Sequence, residues 1–332
     1  MKLAIVTTVI NVPRVLDLWE VADVPVYIAG DLKTPRNLTE RFGRPPFVYL
    51  SPERQRDWKS SELTGWNTDS RRNFAVLEAL KDGADIILSI DDDMIPLQQT
   101  FLGDVICLFE QPFSGIQVGE RKEWMDHGRM TVPPATARGI PYDQILDNTI
   151  DFVSLVPIGV VQGLIYGVPD ATAVDAIANR PLATLAVEPL ASGFVAHPEA
   201  HAVFNSQLTA FRRELAPLFV QHYKSEGRNT DIFAAMAMRA TMRDLGWYTY
   251  YGPPGAWHNR RARPLFNDLK AEIYGLEHIV EFSDVINSQK FPGGTVTDQV
   301  RFLYECLAKW PWFAADNFKA AAAWCDDIES VL

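Results

Sequence analysis

Three adjacent carboxylates, Asp91, Asp92 and Asp93, follow directly on an apolar run at residues 86–90. The run is short and rich in β-branched side chains, which predicts a central strand buried on both faces. Ligands of open α/β sheets bind at the carboxyl ends of such strands. Adjacent carboxylates repel one another unless a cation or hydrogen-bond donors compensate them, and oxygen ligands suit Mg²⁺ or Mn²⁺. The pattern predicts a divalent-metal site, with a solvated acidic turn as the alternative.

Two arginines, Arg71 and Arg72, lie in the first turn of a helix predicted to begin at Asp69 or Ser70 and to end at Gly83. Positive charges at a helix N-terminus oppose the helix dipole. A bound diphosphate would account for them, because guanidinium groups and the N–H groups of a helix N-terminus both bind phosphate. Solvated or salt-bridged arginines are the alternative. The position one helix before the carboxylates favours phosphate binding.

Two further strands are predicted to end in polar side chains at the same edge of the sheet. Residues 3–8 end in the hydroxyls of Thr7 and Thr8, and residues 24–31 end in Asp31. Strand, loop and helix in this order open a Rossmann-like unit. Asp31 is a candidate acceptor for a base or ribose, and a turn-forming aspartate is the alternative.

The remainder of the chain is predicted to contain one long irregular tract and a helical end. Residues 111–147 form that tract, and its Trp124 and His127 suit a sugar or acceptor pocket. Residues 202–205 are predicted as a strand followed by a helix, and residues 247–251 as a late strand that ends before two prolines. From residue 266 onward the pattern is mainly helical and amphipathic.

The composition excludes several classes of protein. The net charge of -11 disfavours nonspecific binding to nucleic acid or to an anionic membrane. Three scattered cysteines do not form a disulfide framework or a cysteine zinc site. The apolar segments are too short for a transmembrane helix, and the N-terminal residues show no signal-peptide pattern. We therefore expect a cytoplasmic globular protein without a membrane span and without a nucleic-acid partner.

Five segments, in the same order along the chain, are similar to motifs of one enzyme family. They are Ser89-Ile-Asp-Asp-Asp-Met94, residues 161–170, residues 202–215, residues 229–235 and Trp257-His-Asn259. The corresponding family motifs are Thr-Ile-Asp-Asp-Asp-Cys, Ser-His-Gly-Leu-Trp-Leu-Asn-Ile-Pro-Asp, Met-Asn-Leu-Ala-Phe-Asp-Arg-Glu-Leu, Tyr-Asp-Asp-Met-Trp-Ala-Gly and Tyr-His-Ser. On these segments the chain resembles the reversibly glycosylated polypeptides, the plant UDP-arabinopyranose mutases, which are GT-A-like enzymes.

The resemblance implies a fold, a substrate, a cofactor and a set of site residues. The implied fold is α/β, a GT-A-like Rossmann-type mixed sheet flanked by helices at residues 1–265, with a helical C-terminal extension at residues 266–332. The implied substrate is a UDP-sugar, and the implied cofactor is Mn²⁺ or Mg²⁺ held by Asp91, Asp93 and His258. Asp231 would lie below the sugar to orient a hydroxyl or act as a base. Arg71 or Arg72 would correspond to the arginine that this family glycosylates. We expect nucleotide binding by Thr7, Thr8, Asp31, Arg71, Arg72 and Asp92.

Three interpretations of the activity follow, and they differ in what receives the sugar. In a mutase, a ring hydroxyl of the sugar itself attacks the anomeric carbon and UDP recaptures the sugar. In a glycosyltransferase, a separate small molecule or glycan enters near Trp124 and His127. In the third interpretation the chain is an inactive homologue that binds a partner through its helical end. The sugar, the base, the acceptor and a homo-oligomeric state stay open at this stage.

Overall fold

The chain folds around one large mixed β-sheet. The computed structural model describes residues 1–21, 23–98, 100–144, 149–178, 185–221, 227–260, 264–291, 293–311 and 313–332. The strands are β1 (Leu3–Val9), β2 (Val26–Gly30), β3 (Phe47–Leu50), β4 (Ile86–Ile90), β5 (Met94–Pro96), β6 (Phe113–Val118), β7 (Trp124–Met125), β8 (Thr131–Val132), β9 (Ile150–Val156), β10 (Ile158–Gly167), β11 (Leu185–Ala186), β12 (Phe194–Ala196), β13 (His201–Ala202), β14 (Leu208–Arg212) and β15 (Tyr248–His258).

Strand direction in the main sheet brings many chain segments to one edge. The 11-stranded sheet has the order β3-β2-β1-β4-β14-β10-β15-β12-β6-β9, and β5 pairs with β15 outside this path. The strands β3, β2, β1 and β4 are mutually parallel, whereas β14 is antiparallel to both β4 and β10. Since β10 and β15 are parallel, the carboxyl ends of β1, β2, β4, β10 and β15 meet at the edge where β14 begins.

Helices cover both faces of this sheet. They are α1 (Leu38–Phe42), α2 (Pro52–Gln55), α3 (Ser61–Thr64), α4 (Arg72–Lys81), α5 (Thr100–Glu110), α6 (Ala173–Ala178), α7 (Thr230–Leu245), α8 (Leu265–Ser288), α9 (Val296–Leu307) and α10 (Ala315–Glu329). The apolar side chains of α1 and α5 pack on one face, and those of α4, α7 and the last three helices share a core with the other. The predicted α/β architecture, a mixed sheet flanked by helices with helices at the C-terminal end, is confirmed.

The sequence explains the elements nearest the carboxylates. Every residue of β4 is buried, as its largely apolar sequence predicts for a strand covered on both faces. The turn before α4 begins at Thr68, whose side chain accepts a hydrogen bond from the Ser70 N–H, so Thr68 is the cap where Asp69 or Ser70 was expected. After α4, Gly83 adopts a φ of 81°, the left-handed backbone that ends a helix.

Three element predictions are wrong: two miss strands, and one ends a strand too early. The tract at residues 111–147 is not wholly irregular, because it contains β6 of the main sheet and the short β7 and β8; residues 145–147 lie outside the described part. The stretch after residue 205 forms β14 before a 3-10 turn, although no alternation marks it as a strand. The late strand does not end before the prolines: β15 continues to His258, with two register shifts between Gln162 and Ile165 of its partner β10.

The C-terminal helices share one hydrophobic core with the sheet. Phe282 of α8, Leu303 of α9 and Trp324 of α10 belong to the same cluster as Val6 and Ile87 of β1 and β4. Asp327 of α10 also accepts hydrogen bonds from the backbone N–H groups of Lys59 and Ser60 before α3, at 2.9 and 2.8 Å. The division at residue 265 therefore separates the chain by sequence, while packing crosses it. Within the described residues, no helix is long and apolar enough to cross a bilayer.

We predict that Trp324→Ala lowers the free energy of unfolding by about 3–5 kcal/mol, the usual cost of deleting a buried large aromatic side chain. Trp324 is 1% exposed, and its indole N–H donates to the Pro217 carbonyl at 2.8 Å. Urea unfolding followed by circular dichroism measures the change. Phe266→Ala is the matched control, since this aromatic of the same extension is 67% exposed and its loss should cost less than about 0.5 kcal/mol. Equal effects of the two substitutions would contradict the shared core.

Candidate functional site

A polar cavity of about 350 Å³ opens at the edge where the carboxyl ends of the parallel strands meet. Its wall combines residues at the end of β1 and just after it, after β4, before β14, around the start of α4, at the start of α7, and from three connecting segments. They are Thr8, Ile10, Asn11, Asp69, Arg72, Asp91, Asp92, Asp93, Arg138, Ser206, Gln207, Arg228, Asp231 and Arg260. We call this cavity the polar pocket.

The carboxylates after β4 have different partners within the polar pocket. Asp91 forms an ion pair with Arg72. Asp93 faces His258, with 3.4 Å between Asp93 Oδ1 and His258 Nε2. Asp93 Oδ1 is buried, and no hydrogen bond of standard geometry reaches it from the described residues. Asp92 also lines the pocket. The three carboxylates thus lie together at the carboxyl end of β4, as the sequence predicts.

The ring of His258 is oriented by the backbone. Its Nδ1–H donates to the Val168 carbonyl at 2.8 Å, which leaves Nε2 directed at Asp93. Burial alone would lower the pKa of His258, but the close carboxylate of Asp93, together with Asp91 and the Val168 carbonyl, raises it. The extension of β15 through its prolines is what carries His258 to this place, where it pairs in register with Met94 of β5.

Asp93 and His258 together offer the kinds of ligand that a divalent cation binds. An imidazole whose Nδ1–H is held by a carbonyl presents Nε2 to a metal, and the buried oxygen of Asp93 is a second ligand of the kind Mn²⁺ and Mg²⁺ use. Asp91 is engaged by Arg72, and in the described part of the chain no three His, Cys, Asp or Glu side chains are grouped around one point. A cation here would have Asp93 and His258 as protein ligands and would take further oxygens from water or phosphate.

Arg72 is buried at the wall of the polar pocket with one donor unused. Its side chain is 2% exposed, its Nη1–H donates to the Ser206 carbonyl at 3.0 Å, and its Nη2–H donates to Asp91. Its Nε is buried and has no hydrogen-bond partner among the described residues. An unmet buried donor of this kind is costly, which makes Arg72 a good candidate for contact with an anion.

Arg71, in contrast, is not brought to the polar pocket. It is fully buried, and its guanidinium donates to Gln55 at 2.8 Å, to the Ser61 carbonyl at 2.8 Å and to the Gly65 carbonyl at 3.1 Å. Its guanidinium carbon also lies 3.6 Å from the centre of the Trp66 ring. One step along a helical turn rotates a side chain by about 100°, so neighbouring arginines face different surroundings. Arg71 holds the connection between β3 and α4 together, and nothing in this placement supports its predicted contact with a diphosphate or sugar.

Arg138 and two carboxylates form the buried centre of the site, and only one of the three was predicted. Arg138 donates to both oxygens of Asp231 at 2.8 Å and lies 2.8 Å from Asp170 Oδ2. Burial would raise the pKa of Asp170, but Arg138 and Arg228 hold it at about 2. Asp231 also accepts a hydrogen bond from the Ser206 N–H at 3.1 Å. Both oxygens of Asp231 are thus occupied, which suits a fixed, orienting anion better than a free base.

A second layer of carboxylates comes from α8. Arg228 pairs with Glu272 and lies 3.4 Å from Asp268, which is also 3.3 Å from Arg260. Sequence reasoning missed Arg228 and Arg260 as site residues. A signal was available, because each stands beside a segment that carries the family resemblance, the one before Asn229 and the other after Asn259.

Of the predicted nucleotide-binding residues in the first two strands, one lines the polar pocket and two do not. Thr8 lines the polar pocket, whereas Thr7 is fully buried. Asp31 is 1% exposed and accepts hydrogen bonds from the N–H groups of Leu32 at 2.7 Å and Thr68 at 3.1 Å. Asp31 therefore connects the end of β2 to Thr68, where the turn before α4 begins, and it does not line the polar pocket.

Similarity to other proteins is found among solved structures and not among sequence families. No protein-family model matches the chain, and no curated protein matches it. The chain is similar to the mannosyltransferase PcManGT from Pyrobaculum calidifontis in complex with GDP-Man and Mn²⁺, with 13% identity, a TM-score of 0.38 and coverage of 99% of this chain and 86% of that chain. At this level of similarity the neighbour says nothing about the activity of this chain, which must be argued from the chain's own residues.

We predict that Arg71→Met lowers the free energy of unfolding by at least about 2 kcal/mol, since it leaves two buried carbonyls and Gln55 without their donor. Thermal or urea unfolding measures the loss. Arg56→Met is the matched control: this arginine of the same connection is 50% exposed, and its single ion pair with Glu62 contributes little. A stable Arg71→Met protein that has lost only ligand binding would refute the structural role.

Proposed function

We propose that the chain is a nucleotide-sugar enzyme that works with Mn²⁺ or Mg²⁺. The observation that carries this proposal is the polar pocket, where four arginines and five aspartates face one cavity. Three buried polar atoms at this pocket, Arg72 Nε, Asp93 Oδ1 and Gln207 Oε1, have no hydrogen-bond partner within the described residues. A ligand with phosphate oxygens, hydroxyls and an accompanying cation would satisfy donors and acceptors of both kinds.

The charges assign parts of such a ligand to parts of the pocket. Asp93 and His258 would hold the cation, and Arg72 beside them would donate to a diphosphate oxygen. The sugar would lie toward Arg138 and Asp231, since a carboxylate whose oxygens are fixed in place is suited to orient hydroxyl groups. A bound cation would neutralise negative charge that develops on the departing diphosphate. Asp91 would keep Arg72 in position, and this role replaces its assignment as a metal ligand.

Two reactions are compatible with this arrangement. The ordered family motifs favour a UDP-arabinopyranose mutase-like interconversion of pyranose and furanose forms, in which a hydroxyl of the sugar itself attacks the anomeric carbon. The alternative is transfer of the sugar to a separate acceptor. In both, the bond between the anomeric carbon and the diphosphate oxygen breaks, and the electron pair leaves with the diphosphate.

We predict that UDP, or GDP if the base is a purine, binds only with Mn²⁺ or Mg²⁺ present, because the aspartates of the pocket otherwise repel a diphosphate. Titration calorimetry with and without chelator measures this dependence. Asp93→Asn and His258→Ala should each weaken cation-dependent binding at least about 10-fold, the usual effect of losing a metal ligand or its partner. Asp244→Asn, at a carboxylate that is 45% exposed on α7, should bind as the parent does. Undiminished binding in chelator would remove the cation from the proposal.

We also predict that Arg72→Ala weakens nucleotide binding by about 1.5–3 kcal/mol, the range for a charge-assisted hydrogen bond. Arg72→Lys should restore only part of the affinity, because lysine lacks the planar fork. Thermal unfolding of each variant separates lost affinity from lost structure, and Arg56→Ala serves as the surface control. If Arg72→Ala binds nucleotide as tightly as the parent, Arg72 serves only to pair Asp91.

A further inference from the structure

Asp69 brings an unengaged carboxylate to the wall of the polar pocket. It opens the short 3-10 turn Asp69–Arg71 that leads into α4. An aspartate at such a position commonly caps the helix, but here the Thr68 hydroxyl accepts the hydrogen bond from the Ser70 N–H at 3.0 Å. The side chain of Asp69 is exposed to the cavity, and within the described part of the chain it has no hydrogen-bond or ion-pair partner. The carboxylate is therefore available to a ligand.

The backbone that carries Asp69 is held in place by its neighbours. On one side the Thr68 N–H donates to Asp31 at 3.1 Å. On the other side the Arg71 guanidinium donates to the carbonyls of Ser61 and Gly65 at 2.8 and 3.1 Å. Asp69 is thus positioned by contacts of the adjacent residues, which leaves its own oxygens free. A group placed in this way suits contact with a substrate.

The other aspartates of the polar pocket are engaged within the folded chain. Arg72 pairs with Asp91, Arg138 with Asp231 and His258 with Asp93, and Asp92 has an interaction as well. A general base needs an oxygen that is open to the proton it takes. Asp69 meets this condition better than Asp231, whose two oxygens both accept from Arg138.

The charges around Asp69 come from both halves of the polar pocket. The surrounding protein shields the carboxylate from bulk water and raises the pKa of Asp69; Asp231 and Asp91 raise it further, whereas Arg72 and Arg138 lower it. A carboxylate with a raised pKa is a stronger proton acceptor. In the proposed complex Arg72 contacts the diphosphate and Asp231 the sugar, and the anomeric carbon joins these two parts. Asp69 therefore lies on the side of the bond that breaks.

We infer that Asp69 is the general base, which takes the proton of the hydroxyl that attacks the anomeric carbon. This inference rests on the proposed function and applies to either reaction. The hydroxyl oxygen bonds to the anomeric carbon as the bond from that carbon to the diphosphate oxygen breaks, and the diphosphate leaves with the electron pair. In transfer, Asp69 passes the proton to water. In the mutase, the diphosphate attacks the same carbon again, and the former ring oxygen takes the proton back from Asp69.

Two variants separate proton transfer from binding. Asp69→Asn keeps an oxygen that accepts hydrogen bonds but takes up no proton, and Asp69→Ala removes the contact. Asp57→Asn is the matched control, because Asp57 is exposed on the same connection between β3 and α4 and does not line the polar pocket. Since loss of Asp69 relieves repulsion from Asp231 and Asp91, both variants should melt at or above the temperature of the parent. A clearly lower melting temperature in both would make Asp69 a structural residue and overturn the inference.

The experiment measures binding and turnover separately. Calorimetry with Mn²⁺ gives the affinities for UDP, GDP and the nucleotide sugars UDP-arabinopyranose, UDP-galactose, UDP-glucose and GDP-mannose. Chromatography, with glycerol or arabinose present, detects furanose forms and released UDP or GDP. We expect Asp69→Asn to bind at least as tightly as the parent but to lose about 100-fold or more in turnover, the usual contribution of a general base. Asp69→Ala should lose turnover equally and should bind the nucleotide sugar about 3-fold or more weakly, while its affinity for UDP or GDP alone is kept.

The outcomes that contradict the inference are distinct from those that contradict the proposed function. Near-parent turnover by Asp69→Asn, equal weakening of nucleotide and nucleotide-sugar binding, or a parent that binds these nucleotide sugars and converts none of them overturns the role of Asp69 alone. Absence of nucleotide binding by the parent overturns the proposed function.

Discussion

Arg138 is the side chain on which the arrangement of the polar pocket depends. It joins Asp170, after β10, to Asp231, at the start of α7, and it also donates to the Arg228 carbonyl in the turn before that helix. Without it, two buried carboxylates would face each other with no charge between them. Removing one partner of a buried ion pair usually costs about 3–5 kcal/mol, so the positions of these segments are coupled through one guanidinium. The same group forms part of the wall of the polar pocket.

The direction of β14 explains why these segments can meet. A purely parallel sheet would bring only the carboxyl ends of strands to this edge, but β14 is antiparallel and begins there. Ser206 and Gln207, which precede β14, thereby enter the polar pocket, and the Ser206 carbonyl accepts from Arg72 while its N–H donates to Asp231. The start of this one antiparallel strand therefore links Arg72 to Asp231.

The parts of the site that could be predicted from sequence are those fixed by local rules. Asp91 to Asp93 end an unmistakable buried strand, Thr8 ends another, and Asp231 begins a long helix. Arg71 and Arg72 show where local rules fail. They are adjacent in one helical turn, and only the packing of the folded chain decides which of them faces the polar pocket. Arg71 is enclosed by the segment between β3 and α4. Asp327 of α10, more than 250 residues away in sequence, accepts a hydrogen bond from Lys59 of that segment and holds it in place. No local pattern near Arg71 encodes that contact.

The same limit accounts for the missed strands and arginines. Neither β6 nor β14 alternates apolar and polar residues in a way that marks a strand, and β15 continues through two prolines that normally end one. Arg228 and Arg260 become site residues only because α8 supplies Asp268 and Glu272 beside them. The helical end, assigned to a separate extension by its amphipathic pattern, thus supplies both core packing and part of the electrostatic frame of the site.

That frame explains why a cation is central to the proposed chemistry. Of the four arginines at the polar pocket, Arg72 is paired with Asp91, Arg138 with Asp170 and Asp231, and Arg228 and Arg260 with carboxylates of α8. Each positive charge is therefore already largely balanced inside the protein, and the chain as a whole carries a net charge of -11. A diphosphate entering such a pocket gains directed hydrogen bonds from these arginines but little net attraction. Neutralisation must then come from outside the chain, and the edge formed by Asp93 and His258 is where an incoming cation would find both an unmet oxygen and an oriented ring nitrogen.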